Sequence, residues 1–526
     1  MFKSMRGAPG ALGTITARIP VLSIVRPIFI SLALALPGLA QTGKWSVVGK
    51  SSGTVIGREE CSFGQAGGKF YLMGGRGVSP VQEYTPATKA WKILSNTPVE
   101  LNHFQALSLY GLIYVICAFN GPYPHEIPVP NMYIYDPLTD TWIKGMAIPA
   151  ARLRGSAGVA VYQDKIYIAL GIKDGHSSGW VSFLDEYNPA TGEWKALADA
   201  PRERDHFQTA IANGKLFALG GRRSSYKPDI FTDLEKVDVY DIAAGTWSTL
   251  PTASDHPLKR SGSVVTALGD ELIVAGGGSL SNGSLAHKET HAFNTLTNAW
   301  RVLAPLNTGR QVLGGVLNNQ GIYLASGSGG SGGSPVLTDM EVFFMGDSLP
   351  VTGAALTAGQ LVSPESPFNL GMVASGQKST RSVSLTHSSG TQGVLIGSMQ
   401  VTGDPAFRIK TSPAFPSLVK PGGSIPVEIE FTSTGAVPGA ADLEVTLAVP
   451  KGVVLKVPLE ANKTAISVRP GALQAARRGV PGPSRLFGNG WYFLPPGKSQ
   501  GLPGSGDDAT VRIYRDGTGR VNRATE

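Results

Sequence analysis

The chain has 526 residues, 42% hydrophobic and only 16% charged, with 67 glycines, 37 prolines and a net charge of +8. Glycine enrichment with little charge excludes a coiled coil or long-helix protein, and the apolar fraction excludes wholesale disorder. The length predicts more than one domain, and many glycines between short apolar runs predict an all-β chain with tight turns.

The first predicted element is a signal. Lys3, Arg6, Arg18 and Arg26 precede an apolar run from Pro27 to Ala40. At roughly 1.5 Å per residue the run is too short to span about 30 Å of hydrocarbon. The small residues Gly38 and Ala40 stand just before Gln41, which suits a signal peptidase. Residues 1–40 therefore read as a secretory signal, and the protein as exported (periplasm, cell surface or secreted) with no membrane partner once it is cleaved. Residues 1–40 hold +4 and residues 465–526 hold +5, leaving the 424 residues between them at −1. A nucleic-acid binder keeps its basic stripe on folded surface, so no nucleic-acid partner is expected. Two cysteines, Cys61 and Cys117, make neither a disulfide scaffold nor a metal cluster. They either form one disulfide or act as small buried hydrophobes.

Next comes an internal repeat. Five tryptophans each follow an aromatic by seven residues: Tyr84 and Trp91, Tyr135 and Trp142, Tyr187 and Trp194, Tyr240 and Trp247, Phe293 and Trp300. Turn formers such as Asn188-Pro-Ala-Thr-Gly192 lie between them. Upstream stand short apolar strands ending in small pairs, as in Phe70-Tyr-Leu-Met-Gly-Gly75, Leu216-Phe-Ala-Leu-Gly-Gly221 and Leu272-Ile-Val-Ala-Gly-Gly277. Two units have drifted, to Cys117-Ala118 and Leu170-Gly171. A sixth unit, from Gly321 to Phe344, lacks its own tryptophan, and the missing residue is Trp45, near the start of the chain. An N-terminal strand completing the sixth unit would close a ring and remove a free sheet edge.

The Gly-Gly, aromatic and Trp order, at about 50 residues per unit, resembles the kelch repeat, a four-stranded propeller blade. It is similar to the central domain of galactose oxidase-like proteins. The resemblance implies a six-bladed kelch β-propeller over residues 41–346, with the small pair and the aromatics packing between blades.

From residue 355 the blade period gives way to short alternating strands, including Ser382-Val-Ser-Leu-Thr386 and Val427-Glu-Ile-Glu-Phe431. Their spacing predicts a β-sandwich over 355–463, resembling Ig-like modules of the ASPM/SPD-2/Hydin type. Residues 464–526, rich in Gly, Pro and Arg, read as a poorly ordered tail with a hairpin around Asp516-Gly517.

The candidate site lies where each innermost strand begins after a proline-bearing loop. The third position beyond the proline aligns Leu101, Arg152, Arg204 and Arg260, with Arg58 and Thr308 by spacing; the fifth aligns His103, Arg154, His206, Gly262 and Arg310, with Glu60. Nine of these twelve residues are charged or histidine, and positions two apart on a strand share a face. Asn102-His-Phe-Gln105 and Asp205-His-Phe-Gln208 nearly repeat each other. Two readings stand. The arginines bridge blades and cap loop carbonyls, or Arg58, Glu60, His103, Arg152, Arg154, Arg204, His206, Arg260 and Arg310 form a polar channel mouth that binds a protein, sugar or anionic ligand. Loops 119–132, 173–180, 222–232 and 277–288 would wall it.

Two enzyme readings follow from the resemblance. A copper radical oxidase of the galactose oxidase type needs two tyrosines and two histidines on the metal. The eight histidines here are scattered, and the C-terminal region offers only His387. Resemblance to the kelch sialic-acid mutarotase would make Glu60 or Glu203 an acid–base group on a carboxylated sugar. Hydrolase and nucleotide motifs are absent. The expectation is a binding or interaction module with no cofactor and no metal, with a sugar-modifying enzyme as the alternative.

Overall fold

The structure, a computed structural model, describes residues 42–227, 232–279, 286–311, 314–330, 333–348, 353–435 and 437–463, with the backbone of strands at 466–468, 511–515 and 521–523. The predicted signal and most of the predicted tail lie outside the described residues. The fold is all-β: the helical elements described are two 3-10 turns, Ala150–Arg152 and Thr252–Ser254. Among the described residues no helix is long and apolar enough to cross a membrane.

Six four-stranded antiparallel sheets follow one another along the chain. The first holds Cys61–Ala66, Lys69–Gly74, Pro80–Thr85 and Ala90–Asn96. The next four begin at Leu107, Gly158, Thr209 and Val264. The sixth joins Gly315–Asn318, Gly321–Ala325 and Met340–Phe344 to Lys44–Val47 from the other end of the chain. Innermost strands of successive sheets pack in cyclic order, and the sixth returns to the first. The second strand of each sheet is thus covered on both faces, which explains why it reads as a continuous apolar run rather than an alternation.

The seven-residue spacing is an outer hairpin. Each aromatic stands directly opposite its tryptophan, with ring centroids 4.9 to 5.9 Å apart. Trp45 makes the sixth such pair with Phe343, 298 positions away, at 5.3 Å. Indole N–H groups then reach the preceding sheet: Trp247 donates to the Ala198 carbonyl at 2.8 Å, Trp300 to Ser254 at 2.9 Å, and Trp45 to Thr290 Oγ1 at 3.0 Å.

The small pairs join neighbouring sheets. The first member, whether Gly74, Cys117, Leu170, Gly220, Gly276 or Ser326, is left-handed, with φ between 57° and 69°. The second donates its N–H across the junction: Gly75 to Leu101 at 2.8 Å, Gly171 to Arg204 at 3.0 Å, Gly221 to Arg260 at 2.9 Å, Gly277 to Arg310 at 2.8 Å and Gly327 to Arg58 at 3.1 Å. A Cβ on Gly74 or Gly276 would come within 2.4 Å of the receiving carbonyl, so glycine fits there for lack of space as well as for φ.

Arg58, Arg154, Arg204, Arg260 and Arg310 occupy one equivalent position. Each guanidinium donates to the carbonyl sixteen residues on, at 2.7 to 3.2 Å. Four of them are wholly buried, and Arg58 nearly so. The remaining donors meet Asp185 (2.8 Å, from Arg154), Asp238 (from Arg204), Glu341 (2.6 Å, from Arg310), and the Glu289 carbonyl with His291 Nδ1 (from Arg260). This corrects their assignment to a ligand-binding channel mouth. A five-donor planar fork suits the carbonyls left open where a strand ends, and its burial keeps it from any ligand. The register is corrected too: Arg154 and Arg310 align with Arg204 and Arg260, not with His103 and His206. Arg152 stands outside the series, 2.8 Å from Asp185 and stacked 3.8 Å over the Phe183 ring. Cys61 and Cys117 are separate buried thiols, and burial pushes them up to about 12 and about 11, which leaves them inert.

Beyond residue 357 two sheets face each other across one core. One orders Gln360–Val362, Lys378–Ser389, Ser424–Thr432 and Phe407–Thr411; the other orders Phe368–Asn369, Val454–Ala461, Gly439–Val449, Val394–Gly403 and Ser417–Val419. Alternation places Val383, Leu385, Val427 and Ile429 against Leu443, Val445, Val457 and Leu459. This unit is fixed to the second and third sheets of the ring. Leu395, Leu418 and Val449 join a core with Leu109, Leu112 and Tyr187. Gln392 donates to Asp136 at 2.6 Å, the Gly393 N–H to Tyr110 at 2.8 Å, and the Leu418 N–H to Pro189 at 2.8 Å. In the tail, 511–515 and 521–523 pair antiparallel, which is the hairpin expected around Asp516-Gly517.

Trp45→Ala should destabilise the protein by roughly 3–5 kcal/mol, measured by chemical denaturation, because one side chain serves both the hairpin pair and the junction. Arg204→Ala opens the Gly220 and Lys236 carbonyls and leaves the buried Asp238 with Arg202 and Thr249 alone, and should cost roughly 2–4 kcal/mol. His291 Nδ1 accepts from Arg260 at 3.0 Å, and burial together with that cation pushes its pKa down to about 4. The unfolded chain then binds a proton that the folded chain refuses. His291 alone should make stability fall as pH drops from about 6.5 towards 4, by up to ~1.4 kcal/mol per pH unit, and His291→Gln should remove that share of the fall while the other buried histidines keep theirs.

Candidate functional site

Two residues beyond five of the six clamp positions the chain again turns left-handed, at Glu60 (φ 52°), His103 (53°), Ser156 (53°), His206 (50°) and Gly262 (63°). Non-glycine residues there carry strain, which the ring offsets with bonds between sheets. The His103 N–H donates to the Glu60 carbonyl at 3.0 Å, Ser156 to His103 at 3.1 Å and Gly262 to His206 at 2.7 Å, while the His206 N–H meets Ser156 Oγ at 2.9 Å. This turn aims four side chains, with Gly262 as the bare fifth position, at a central cavity of about 40 Å³ that these residues line with Gln105 and Gln208. That space admits a few waters and no sugar ring.

Of the residues predicted for a channel site, Glu60, His103 and His206 are the ones the fold brings together. A fourth, His176, arrives from a hairpin of Ile172–Asp174 and Ser178–Trp180 above the third sheet. One ligand atom from each of the four lies within 4.8 Å of the others. His103 Nε2 is 3.0 Å from Glu60 Oε1, and His176 Nε2 is 3.1 Å from His206 Nε2. The expectation that the histidines are scattered and offer no metal site is therefore corrected: three of them converge with a carboxylate. His387 is remote, buried in the second unit against the Gln392 carbonyl. Glu203 is half-buried, 3.9 Å from Arg223 and away from the cluster.

Every imidazole of the cluster is held from behind. His103 Nδ1 faces Asn102 Oδ1 at 2.6 Å, His206 Nδ1 faces the Asp205 carboxylate, and His176 Nδ1 lies 3.1 Å from both Glu126 oxygens. Asn102 Nδ2 donates to Glu100 at 2.8 Å, which turns its oxygen towards His103. Glu126 is also paired with Arg76 at 2.7 Å. Burial lowers His176 to about 4 and His206 well below the usual value, so both rings are neutral at pH 7. Burial raises Asp205 to about 6, still ionised at neutral pH. Burial also pushes Glu60 up, but His103, His176 and Arg76 carry it net below the ordinary carboxylate value. Three nitrogen donors, one carboxylate and orienting acceptors behind them form a donor set suited to a cation.

His176 and Glu126 were missed in the sequence because their hairpins fall outside the repeat. Asn102 and Asp205 were visible, as the residue before histidine in the two near-identical Asx-His-Phe-Gln segments.

Comparison with known proteins agrees with the repeat. Residues 145–327 match the KLHDC2/KLHL20/DRC7 Kelch-repeats domain. The chain is 28% identical over 275 residues to Kelch-like protein terF of Aspergillus terreus, covering 49% of this chain and 59% of that protein. It is 23% identical over 211 residues to human Kelch-like protein 38, and 27% over 182 residues to mouse Kelch-like protein 36, covering 39% and 33% of this chain and 34% and 28% of those proteins. It thus spans less than two thirds of each relative. A solved structure titled "Structure of YjhT" aligns over 57% of this chain and 98% of its own, at 18% identity and a TM-score of 0.47. Sequence repeat, sheet ring and kelch matches together support the kelch-repeat family for the β-propeller of this chain.

Proposed function

We propose that the chain is an exported six-bladed kelch propeller that carries an Ig-like sandwich and recognises a protein ligand at one end of its channel. Three two-stranded hairpins carry this reading: 119–120 with 127–128, 172–174 with 178–180, and 222–223 with 232–233. They rise from the second, third and fourth sheets beside the axial cluster. The sandwich grips the turns at the other end of the sheets, near Tyr110, Asp164 and Pro189, and so leaves the hairpin end open. Tyr123, Ile127 and Tyr226 on these hairpins are 61 to 65% exposed, and Arg223 lies 4.6 Å over the Trp180 ring. Exposed aromatics with arginine are the residues that anchor protein interfaces.

A sugar-modifying enzyme has less support, since the arginines it would draw on are buried clamps and the axial cavity is too small for a sugar. The export reading rests on residues 1–40 and fits the described fold, because cleavage after Ala40 leaves the strand Lys44–Val47 intact.

Cross-linking of the native protein, followed by affinity measurement on the captured partner, tests the reading. The Tyr123→Ala/Tyr226→Ala double variant should weaken that affinity at least tenfold, roughly 1.4 kcal/mol, with unchanged melting. Equal affinity would remove the hairpins from the interface, and a melting shift with sugars would favour a carbohydrate ligand. N-terminal sequencing of the exported protein should begin at Gln41.

A further inference from the structure

The partners behind the three imidazoles dictate where their protons sit. Asp205 and Glu126 accept only, and Asn102 presents its oxygen, so each Nδ1 carries the hydrogen. The Ser224 hydroxyl, the other neighbour of His206 Nδ1, gives its proton to Asp205. In the neutral form of each ring, Nε2 is then a bare lone pair. Yet His176 Nε2 and His206 Nε2 face each other at 3.1 Å, and His103 Nε2 faces a carboxylate oxygen at 3.0 Å with no hydrogen-bond donor near it. Both contacts set acceptor against acceptor. His103 and His206 are almost wholly buried, so water does not separate them. Such an arrangement calls for a positive centre between the four atoms.

The separations suit one. Four ligands at about 2.0–2.2 Å from a tetrahedral ion stand about 3.3–3.6 Å from each other; here the two close pairs are 3.0 and 3.1 Å apart and all four ligand atoms lie within 4.8 Å, so a small inward shift of the wider pairs completes the site. Imidazole nitrogen with one carboxylate selects first-row transition ions over calcium or magnesium, which take oxygen. The three orienting groups are the outer partners that histidine ligands require. We propose that Glu60, His103, His176 and His206 bind one divalent transition-metal ion of the zinc type at the hairpin end of the channel. The ligands come from the first, second and fourth sheets and from the hairpin of the third, so the ion ties four blades together. This goes beyond the recognition reading and stands without it.

Full-length protein stripped with chelator and titrated with Co²⁺ alone should take up one equivalent, show visible d–d absorption, and lose that absorption to Zn²⁺. Zn²⁺ should raise the melting temperature. His176→Ala should abolish the absorption and weaken Zn²⁺ affinity roughly 100-fold or more while the metal-free protein melts as before. His176 lies on the hairpin rather than the ring, so this variant decides the matter even if His206→Ala does not fold. Glu126→Gln, which disturbs only the positioning of His176, should weaken affinity by roughly 10–100-fold. Failure to bind one equivalent, or unchanged binding in His176→Ala, overturns the proposal and leaves shared protons to hold the cluster.

Discussion

The ring depends on one backbone hydrogen bond, from the second small residue of a sheet to the carbonyl of the clamp residue in the next. It forces the preceding residue left-handed and leaves little room for a side chain at Gly74 and Gly276. It also fixes the clamp residue, whose guanidinium turns back to cap its own sheet. Two residues further on, the chain turns again and delivers a side chain to the axis. The polar cluster is thus a by-product of how sheets are joined, and its members differ because the position carries no packing duty of its own.

The closely packed parts of this design were legible in the sequence. Aromatic and Trp seven apart is a cross-strand pair, and geometry allows it little variation, so five copies persisted and Trp45 marked the sixth. The clamp arginines were visible, but their role was left open between carbonyl cap and ligand contact, and the structure favours the cap. A charged residue in a strand whose surroundings are unknown reads equally as ligand contact or carbonyl cap, and only the burial of Arg154, Arg204, Arg260 and Arg310 decides. Counting from prolines also slipped by two where the loops differ in length, which placed Arg154 and Arg310 in the wrong row.

His176 illustrates what periodicity cannot show. It reaches the axis from an insertion above the third sheet, where no neighbouring blade supplies a template. Its partner Glu126 lies in a different insertion, fifty residues earlier. Their meeting is a tertiary event between two decorations, each of which looks like an ordinary polar loop alone. The sandwich, in contrast, announces itself by alternation, but its grip on Tyr110 and Pro189 uses backbone groups that carry no sequence signature, and the bond from Gln392 to Asp136 joins two ordinary polar side chains.

The pairing of Lys44–Val47 with Met340–Phe344 has a kinetic consequence. The first strand of the ring is made almost three hundred residues before its partner, so it must wait unpaired while five complete blades form locally. Closing a loop of that length is slow relative to hairpin formation. The ring is therefore an open arc until Met340–Phe344 is made, with the Trp45 strand waiting at its start and the edge of Met340–Phe344 as its last docking site.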